Sequence, residues 1–512
     1  MNAPLSRDGK LAESMSSSRF TGYLVAVIAI GSILRLIWFD LMEFKFDEVE
    51  MLRLTRHWLE TGIPQHGMLS GVGIRNPPGF VFFLLPVMAV TASPLIAGLW
   101  VAVLNIAAIV LMAILGRTIG APRAGLFGAM FMAAHPWLVL YSRKIWAQSV
   151  LPLLVTALLV VMCHCMRAKR SRSIFWVPVL ACLTWQIHYS AYAVIALVFL
   201  WLLNELRLQR LNVRMLLLGL LVGAIVLAPY ISYLAGPGFA DIRGTLGAGE
   251  KHFSINMVTG IFATWVRTAF AGGLGNPFTF EMAPIWQIIE GPNGLLLNGV
   301  AIIATLLVIA LGVSAWPQRG DHADVSRAAW WLIVFVLLPV VLYLVKRVST
   351  PPHYFIISLP AVLMLAGIGL DRAASRAEAG ARRAAGTSLL FIAGTGAVLV
   401  ITVLSEVRRT GGTAGDYGVT YRAQRDVAAL LLDARVDPRN VDVRFTRDRS
   451  PGLLYLMVTG SAGVSFLPDR RAQIVDRLLV PDHGCFGTGK ILLNRREGPL
   501  DVCIFESADD EA

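Results

Sequence analysis

Eleven predominantly apolar runs recur along the chain, at about 20–39, 95–116, 122–141, 146–166, 173–189, 190–206, 213–234, 294–316, 327–346, 354–370 and 386–405. Most are long enough to cross a hydrocarbon layer of about 30 Å as a helix rising about 1.5 Å per residue. The 173–206 pair is short and predicts a tight helical hairpin. A further run, 79–92, would invert the side of every later loop if it crossed. It therefore predicts a helix in the outer interface, begun by Pro77 and Pro78 in its first turn. After Ser405 the pattern changes, with charges throughout. There Ala423–Val436 reads as an amphipathic helix, Val441–Phe445 as a strand and Arg471–Leu479 as a helix. Ile491–Asn494 and Val502–Phe505 read as strands around the turn Glu497-Gly498-Pro499.

These patterns predict an α-helical polytopic membrane protein of about 11 transmembrane helices with a small α/β soluble C-terminal domain. Its parts are a disordered N-terminus (1–19), a membrane domain (20–405) with outer loops 40–94 and 235–293, and the soluble domain (406–512). The first run is too long for a typical signal-peptide core and lacks a cleavage site, so it predicts a retained anchor.

Composition agrees, because 56% of the residues are apolar, only 15% are charged and the mean hydropathy is +0.65. Ordinary soluble domains carry about 25% charge. The formal charge of +12 does not indicate a nucleic-acid partner, because the basic residues sit in short clusters between apolar runs. With the N-terminus cytoplasmic, the clusters at Arg117/Arg123, Arg167–Arg172, Arg207–Arg214, Arg319/Arg327 and Arg372–Arg383 all fall inside, as the positive-inside rule requires. The C-terminal domain then lies outside. Cys485 and Cys503 in it can pair as a disulfide, which an outer compartment permits. Cys163, Cys165 and Cys182 lie in apolar runs and read as buried thiols.

Under this topology polar groups converge on the outer face. Phe46-Asp47-Glu48 follows the first span, Arg75-Asn76-Pro77-Pro78 lies in the first outer loop, and Tyr141-Ser142-Arg143-Lys144 with Gln148 joins two spans. Gln186-Ile187-His188-Tyr189, Lys346-Arg347 and His353-Tyr354 sit at other outer ends. Solvated loop charges and snorkelling lysines explain any one of these, and His188 can equally be a satisfied interface histidine. Together they suit a particular chemistry. A carboxylate can deprotonate an acceptor hydroxyl, and cations can hold a phosphate leaving group. Apolar grooves between helices offer room for a lipid tail.

At these residues the chain resembles the GT-C glycosyltransferases that use polyprenyl-phosphate sugars, a superfamily that includes protein O-mannosyltransferases and the aminoarabinose transferase of lipid A. Asp47-Glu48 matches the acidic pair of the first outer loop, and Asn76-Pro77-Pro78-Gly79 is similar to the Pro-Pro element. Tyr141-Ser142-Arg143 is similar to the element closing the third span, and Pro352-His353-Tyr354 through Leu359-Pro360 to the late one. The resemblance spans residues 20–405 and implies an inverting displacement at the anomeric carbon of a polyprenyl-phosphate-linked sugar, with a glycan, lipid or protein as acceptor. It implies Asp47 as base and Glu48 as a supporting acid or hydrogen-bond partner. Arg75, Tyr141, Arg143, His188, Lys346, Arg347, His353 and Tyr354 become phosphate or sugar ligands. Gln148 stands where many relatives carry an acidic residue implicated in metal binding, so no metal ligand is assigned and a divalent-metal requirement stays open. The lysine that often precedes Pro-Pro is absent, with Arg75 one residue earlier. The implied setting is a bacterial inner membrane with the reaction on the periplasmic side. A lipid-linked-sugar flippase or transporter and a non-catalytic membrane scaffold are the alternatives. The first predicts charged or broken helices near mid-membrane and, in many folds, inverted repeats, and no repeat is visible.

Overall fold

A computed structural model describes residues 16–70, 74–240, 242–243, 254–269, 292–318, 322–347, 351–376, 378–413, 417–444, 451–461, 463–467, 470–476, 490–497 and 499–506. Helices, apolar except for the charged one at Phe46–Thr61, follow one another through the first four fifths of the described chain. They are α1 (Ser17–Leu36), α2 (Phe46–Thr61), α3 (Gly79–Met88), α4 (Pro94–Thr118), α5 (Pro122–Ala134), α6 (Pro136–Tyr141), α7 (Leu151–Arg167) and α8 (Trp176–Trp185). Then come α9 (Tyr192–Arg207), α10 (Val213–Ala235), α11 (Ile255–Thr268), α12 (Pro292–Ser314), α13 (Ala323–Lys346), α14 (Leu359–Ala374) and α15 (Ala379–Thr410). Proline opens α4, α5, α6 and α12, where its missing N–H costs nothing. Among the described residues nine helices are long and apolar enough to cross a membrane. The expected spans at 122–141 and 173–189 correspond to a run broken in two and to the shorter apolar stretch Arg172–Trp185, so nine such helices stand against the eleven spans expected. The chain is a multi-pass membrane protein. The helix at Gly79–Met88 is a short apolar helix of 10 residues.

The bundle closes around α5, which packs against α1, α4 and α14. Small residues let these backbones approach. A Cβ on Gly116 of α4 would overlap the Cα of Gly125 on α5, and one on Gly367 of α14 would overlap the carbonyl of Ala124.

The run 122–141 reads as one span but bends at His135-Pro136. Pro136 has no N–H to offer the carbonyl of Met132, and its ring excludes a continuous helix. Two buried arginines resolve the open ends. Arg35 of α1 donates to the carbonyls of Met132 (3.1 Å) and Ala133 (2.8 Å). Arg143, just past α6, donates to the carbonyls of Arg35 (2.8 Å), Ile37 (2.7 Å) and Trp38 (2.5 Å), where α1 itself ends in a left-handed Trp38. Each helix end is capped by an arginine from the other's neighbourhood.

The C-terminal domain comprises α16 (Tyr421–Asp433), β1 (Val441–Arg444), α17 (Pro451–Gly460), β2 (Arg470–Asp476), β3 (Lys490–Glu497) and β4 (Leu500–Glu506). Its sheet runs β1-β2-β4-β3, with β1 parallel to β2 and the other pairs antiparallel. Ala472, Ile474, Val502 and Ile504 share a core with Val427 and Leu431 of α16. Two differences from the sequence reading stand here. The stretch expected to be a helix from Arg471 is strand β2, and residues 477–479 lie outside the described residues. Its Ala, Gln and Leu favour helix locally, but pairing on both edges overrides propensity. Helix α17 was not anticipated. Cys503 is disulfide-bonded, while Cys485 lies outside the described residues. Cys163, Cys165 and Cys182 are free thiols.

Candidate active site

The chain makes a left-handed turn at Trp38, passes through Asp40-Leu41-Met42-Glu43-Phe44 and starts α2 at Phe46. This puts Asp47 and Glu48 in the first helical turn, where negative charge meets the positive end of the helix dipole. The two carboxylates are treated differently. Asp47 is half-buried, whereas Glu48 is fully buried and accepts the N–H of Lys45 through Oε2 (3.0 Å). Its other oxygen, Oε1, has no hydrogen-bond partner and lies 3.6 Å from Nζ of Lys144.

Lys144 joins this group to a carboxylate that sequence reasoning missed. Its Nζ is 2.8 Å from Oε1 of Glu43, and Nζ of Lys45 approaches the same oxygen at 2.7 Å. Glu43 and Lys144 are both buried. Two carboxylates and two ammonium groups thus form one cluster, with Asp47 at its edge. Burial first, then the Glu43 carboxylate, pushes the Glu48 carboxyl up to about 7, against the opposing pull of Lys144 and Lys45. Asp40 goes the other way. Arg422 forks onto both of its oxygens at 2.7 Å and holds its carboxyl below the usual range. A cavity of about 20 Å³, room for a water molecule, opens between Glu43, Trp137, Tyr141, Arg143, Lys144 and Tyr417.

From this cluster a row of rings leads across the same end of the bundle. Nζ of Lys144 sits 4.4 Å from the ring centre of Trp146, which stacks on Tyr141. Trp146 meets His353 edge-on at 4.6 Å, and His353 faces His188 at 6.4 Å. Tyr354 lies 5.6 Å from His188. Tyr141, His188, His353 and Tyr354 are therefore drawn together, though they come from three separate stretches of sequence. Burial lowers the His188 imidazole to about 4, so it stands neutral at physiological pH. Arg75 lies on the same end by another route. Tyr189 and Tyr230 both donate to its carbonyl, at 3.0 and 2.9 Å, and the N–H of Gly79 donates to Gln186 (2.8 Å). Lys346 and Arg347 are exposed at the end of α13, one helical turn beyond Tyr343, which donates to the carbonyl of Tyr354.

Arg143 is the exception among the residues named from the sequence. Its two terminal nitrogens are engaged with the three carbonyls at the end of α1, so it braces the site instead of presenting a cation to a ligand. The signal for Glu43 was faint, a single acid beside the recognisable pair. Tyr417 could not be inferred without the fold.

Among the described residues, no three His, Cys, Asp or Glu side chains gather closely enough to hold a metal ion. Gln148 is buried with its Oε1 lacking a hydrogen-bond partner, but a neutral amide is a poor sole ligand for a divalent cation.

No family model matches the sequence. In fold the chain is similar to the crystal structure of ArnT from Cupriavidus metallidurans in the apo state, at 14% identity, covering 96% of this chain and 98% of that one with a TM-score of 0.59. It is similar also to ArnT from the same organism bound to undecaprenyl phosphate, at 14% identity over 94% of this chain and 98% of that one, with a TM-score of 0.57. A fainter likeness, with a TM-score of 0.49 and 11% identity, joins 89% of this chain to 62% of the Archaeoglobus fulgidus oligosaccharyltransferase in the apo form. The chain shares the fold of ArnT along nearly its whole length.

Proposed function

We propose that this protein is an integral-membrane inverting glycosyltransferase. It moves one sugar from a polyprenyl phosphate to a glycan, lipid or protein acceptor on the periplasmic side of a bacterial inner membrane. The observation that carries the reading is the juxtaposition at one end of the bundle of the Glu43–Lys144–Glu48 cluster beside Asp47 with the His188–His353–Tyr354 rings. A transferase of this kind needs a carboxylate base next to polar groups that can hold a phosphate and a sugar. The bound undecaprenyl phosphate in the similar ArnT structure supports the choice of donor class.

In this reading Asp47 accepts the proton of the acceptor hydroxyl. The freed oxygen attacks the anomeric carbon, and the bond from that carbon to the phosphate oxygen breaks with inversion. The charge left on the lipid phosphate is met by Arg75, Lys346 and Arg347. Preorganised cations of this kind lower the barrier without reorganising at the moment of reaction. Tyr141, His188, His353 and Tyr354 bind the sugar. Neutral imidazoles can donate one hydrogen bond and accept another, which suits hydroxyl groups. Glu48, protonated or ionised near neutral pH, supports Asp47 through the cluster. Arg143 holds the end of α1 in place. No step uses a metal.

The test is transfer by the purified full-length protein in proteoliposomes, offered a panel of polyprenyl-phosphate sugars and an extract of envelope acceptors. Release of polyprenyl phosphate with an anomer of opposite configuration is expected for one donor. Absence of release from every donor, with the protein intact and inserted, would reject the reading.

A further inference from the structure

The segment that leads to the acidic pair, residues 40–44, is held residue by residue by a part of the chain nearly four hundred positions later. Arg422 binds the Asp40 carboxylate with two hydrogen bonds. The hydroxyl of Tyr417 donates to the carbonyl of Leu41. The N–H of Tyr421 donates to the carbonyl of Met42 (2.9 Å), and Glu43 pairs with Thr420 in an antiparallel bridge. Nε2 of Gln424 donates to the carbonyl of Phe44 (2.6 Å) and also to that of Val419 (2.9 Å). Helix α17 closes the far side, where a Cβ on Gly452 would stand 2.8 Å from the carbonyl oxygen of Phe44.

We infer that Tyr417 and Gln424 of the C-terminal domain are positioning residues for the acidic pair, fixing the five residues that lead into α2. The inference rests on the proposed transferase reading. Docking alone would need only apolar contact, and Phe44 against Tyr421 and Tyr455 already supplies that. The hydrogen bonds do something different. They fix the carbonyls of Leu41, Met42 and Phe44, the last two lying beyond the single 3-10 turn Phe39–Leu41. Its last residue is one short of Lys45, whose N–H binds Glu48. Any slack in 40–44 passes directly to the start of α2, and with it to Asp47 and Glu48. Tyr417 reaches further still, since its ring lines the same cavity as Glu43 and Lys144. The soluble domain is thus a part of the active-site frame, not an appended acceptor module.

The experiment uses full-length Tyr417→Phe and Gln424→Met in proteoliposomes, alongside wild type. Each variant removes hydrogen-bond donors while keeping most of the side-chain volume. Displacements of about 1 Å can cost about 10²-fold in rate, so kcat is expected to fall about 10- to 100-fold. The KM for the lipid-linked donor should stay within about twofold, because the proposed phosphate ligands are elsewhere. Amide hydrogens in residues 39–48 should exchange faster, while those of α4 do not change. A kcat within twofold of wild type, or unchanged exchange in 39–48, overturns the inference. If one variant fails to insert, the other still decides. Failure of the transferase reading would show separately, as absence of release from every donor by the inserted wild-type protein.

Discussion

The two ends of the helical bundle handle charge in opposite ways. At one end lie the basic clusters, and their side chains stay largely exposed while they bridge neighbouring helix ends. Arg167 lies 3.7 Å from Asp324, Arg327 pairs with the same carboxylate, and Arg372 donates to the carbonyls of Ser314 and Trp316. At the other end Glu43, Glu48 and Lys144 are buried together, their charges shared among several partners and one carboxylate oxygen left without a hydrogen bond. Exposed charge orients helices and costs little. Buried, incompletely satisfied charge is expensive and persists where geometry over-determines it. The contrast separates topology from chemistry, and it can be tested in order of expected effect.

The largest effect belongs to Asp47→Asn, which keeps the size of the side chain and removes its ability to take a proton. General base catalysis is worth about 10²–10⁴ in rate, so transfer should fall by at least that factor at saturating donor. Donor binding should survive, because cations hold the phosphate. Equal amounts of inserted protein must be compared. Transfer at the wild-type rate would remove Asp47 as base.

Next comes Lys144→Met. It leaves Glu43 and Glu48 buried with less compensation, and removing one partner of a buried pair typically costs about 3–5 kcal/mol. Thermal unfolding of the detergent-solubilised protein should show a large loss above neutral pH. The loss should shrink on acidification, as the buried Glu48 carboxyl takes up a proton. A loss independent of pH would assign the role of Lys144 to packing alone.

Glu48→Gln should have a smaller effect, of opposite sign in stability. Its carboxyl stands near 7 in the folded protein against an ordinary value of 4.5, so the folded state binds the extra proton between these two values. Stability from this group therefore falls as pH rises through that window and stays low above it. The variant lacks the buried charge, so it should be more stable than wild type at pH 8, by at most about 3 kcal/mol. The two should converge toward pH 4.5. Transfer should suffer less than in Asp47→Asn. A stability difference that grows on acidification would contradict the assigned burial.

Much of this arrangement was legible in the sequence, and the reasons for the rest are specific. Length and apolarity announce a span, and loop lysines and arginines announce its direction, because both properties are local. The acidic pair, the Pro-Pro element and His353-Tyr354 stood out as polar groups at span ends. Arg35 escaped notice because it lies inside an apolar run, and its role depends on a break at Pro136 about a hundred residues later. Arg143 was singled out correctly as unusual, yet its hydrogen-bond partners turn it from a ligand candidate into a brace. Glu43 carries no motif, and only the approach of Lys144 gives it meaning. The grip of residues 417–424 on 40–44 is a long-range pairing between stretches that look unremarkable alone. Strand β2 was misread for the same reason, since its neighbours β1 and β4 decide its conformation.

The smallest effect is expected at the opposite end, from Arg167→Met. The Arg167 side chain is 57% exposed, and its partner Asp324 keeps Arg327 when Arg167 is removed. Exposed ion pairs are worth about 0–1 kcal/mol, because water screens them and two long side chains must be ordered to form them. The methionine also retains the apolar stem that packs beneath the guanidinium. Insertion should not change, since Lys169, Arg170 and Arg172 remain in the same loop to hold its orientation. Unfolding temperature and a reporter fused beyond α7 would together read both quantities. Lys144→Met and Arg167→Met each delete one positive charge from the same chain, so their difference isolates burial from charge. Equal losses in the two variants would mean that the outer cluster is no more strained than an ordinary helix end, and the case for chemistry there would rest on Asp47 alone.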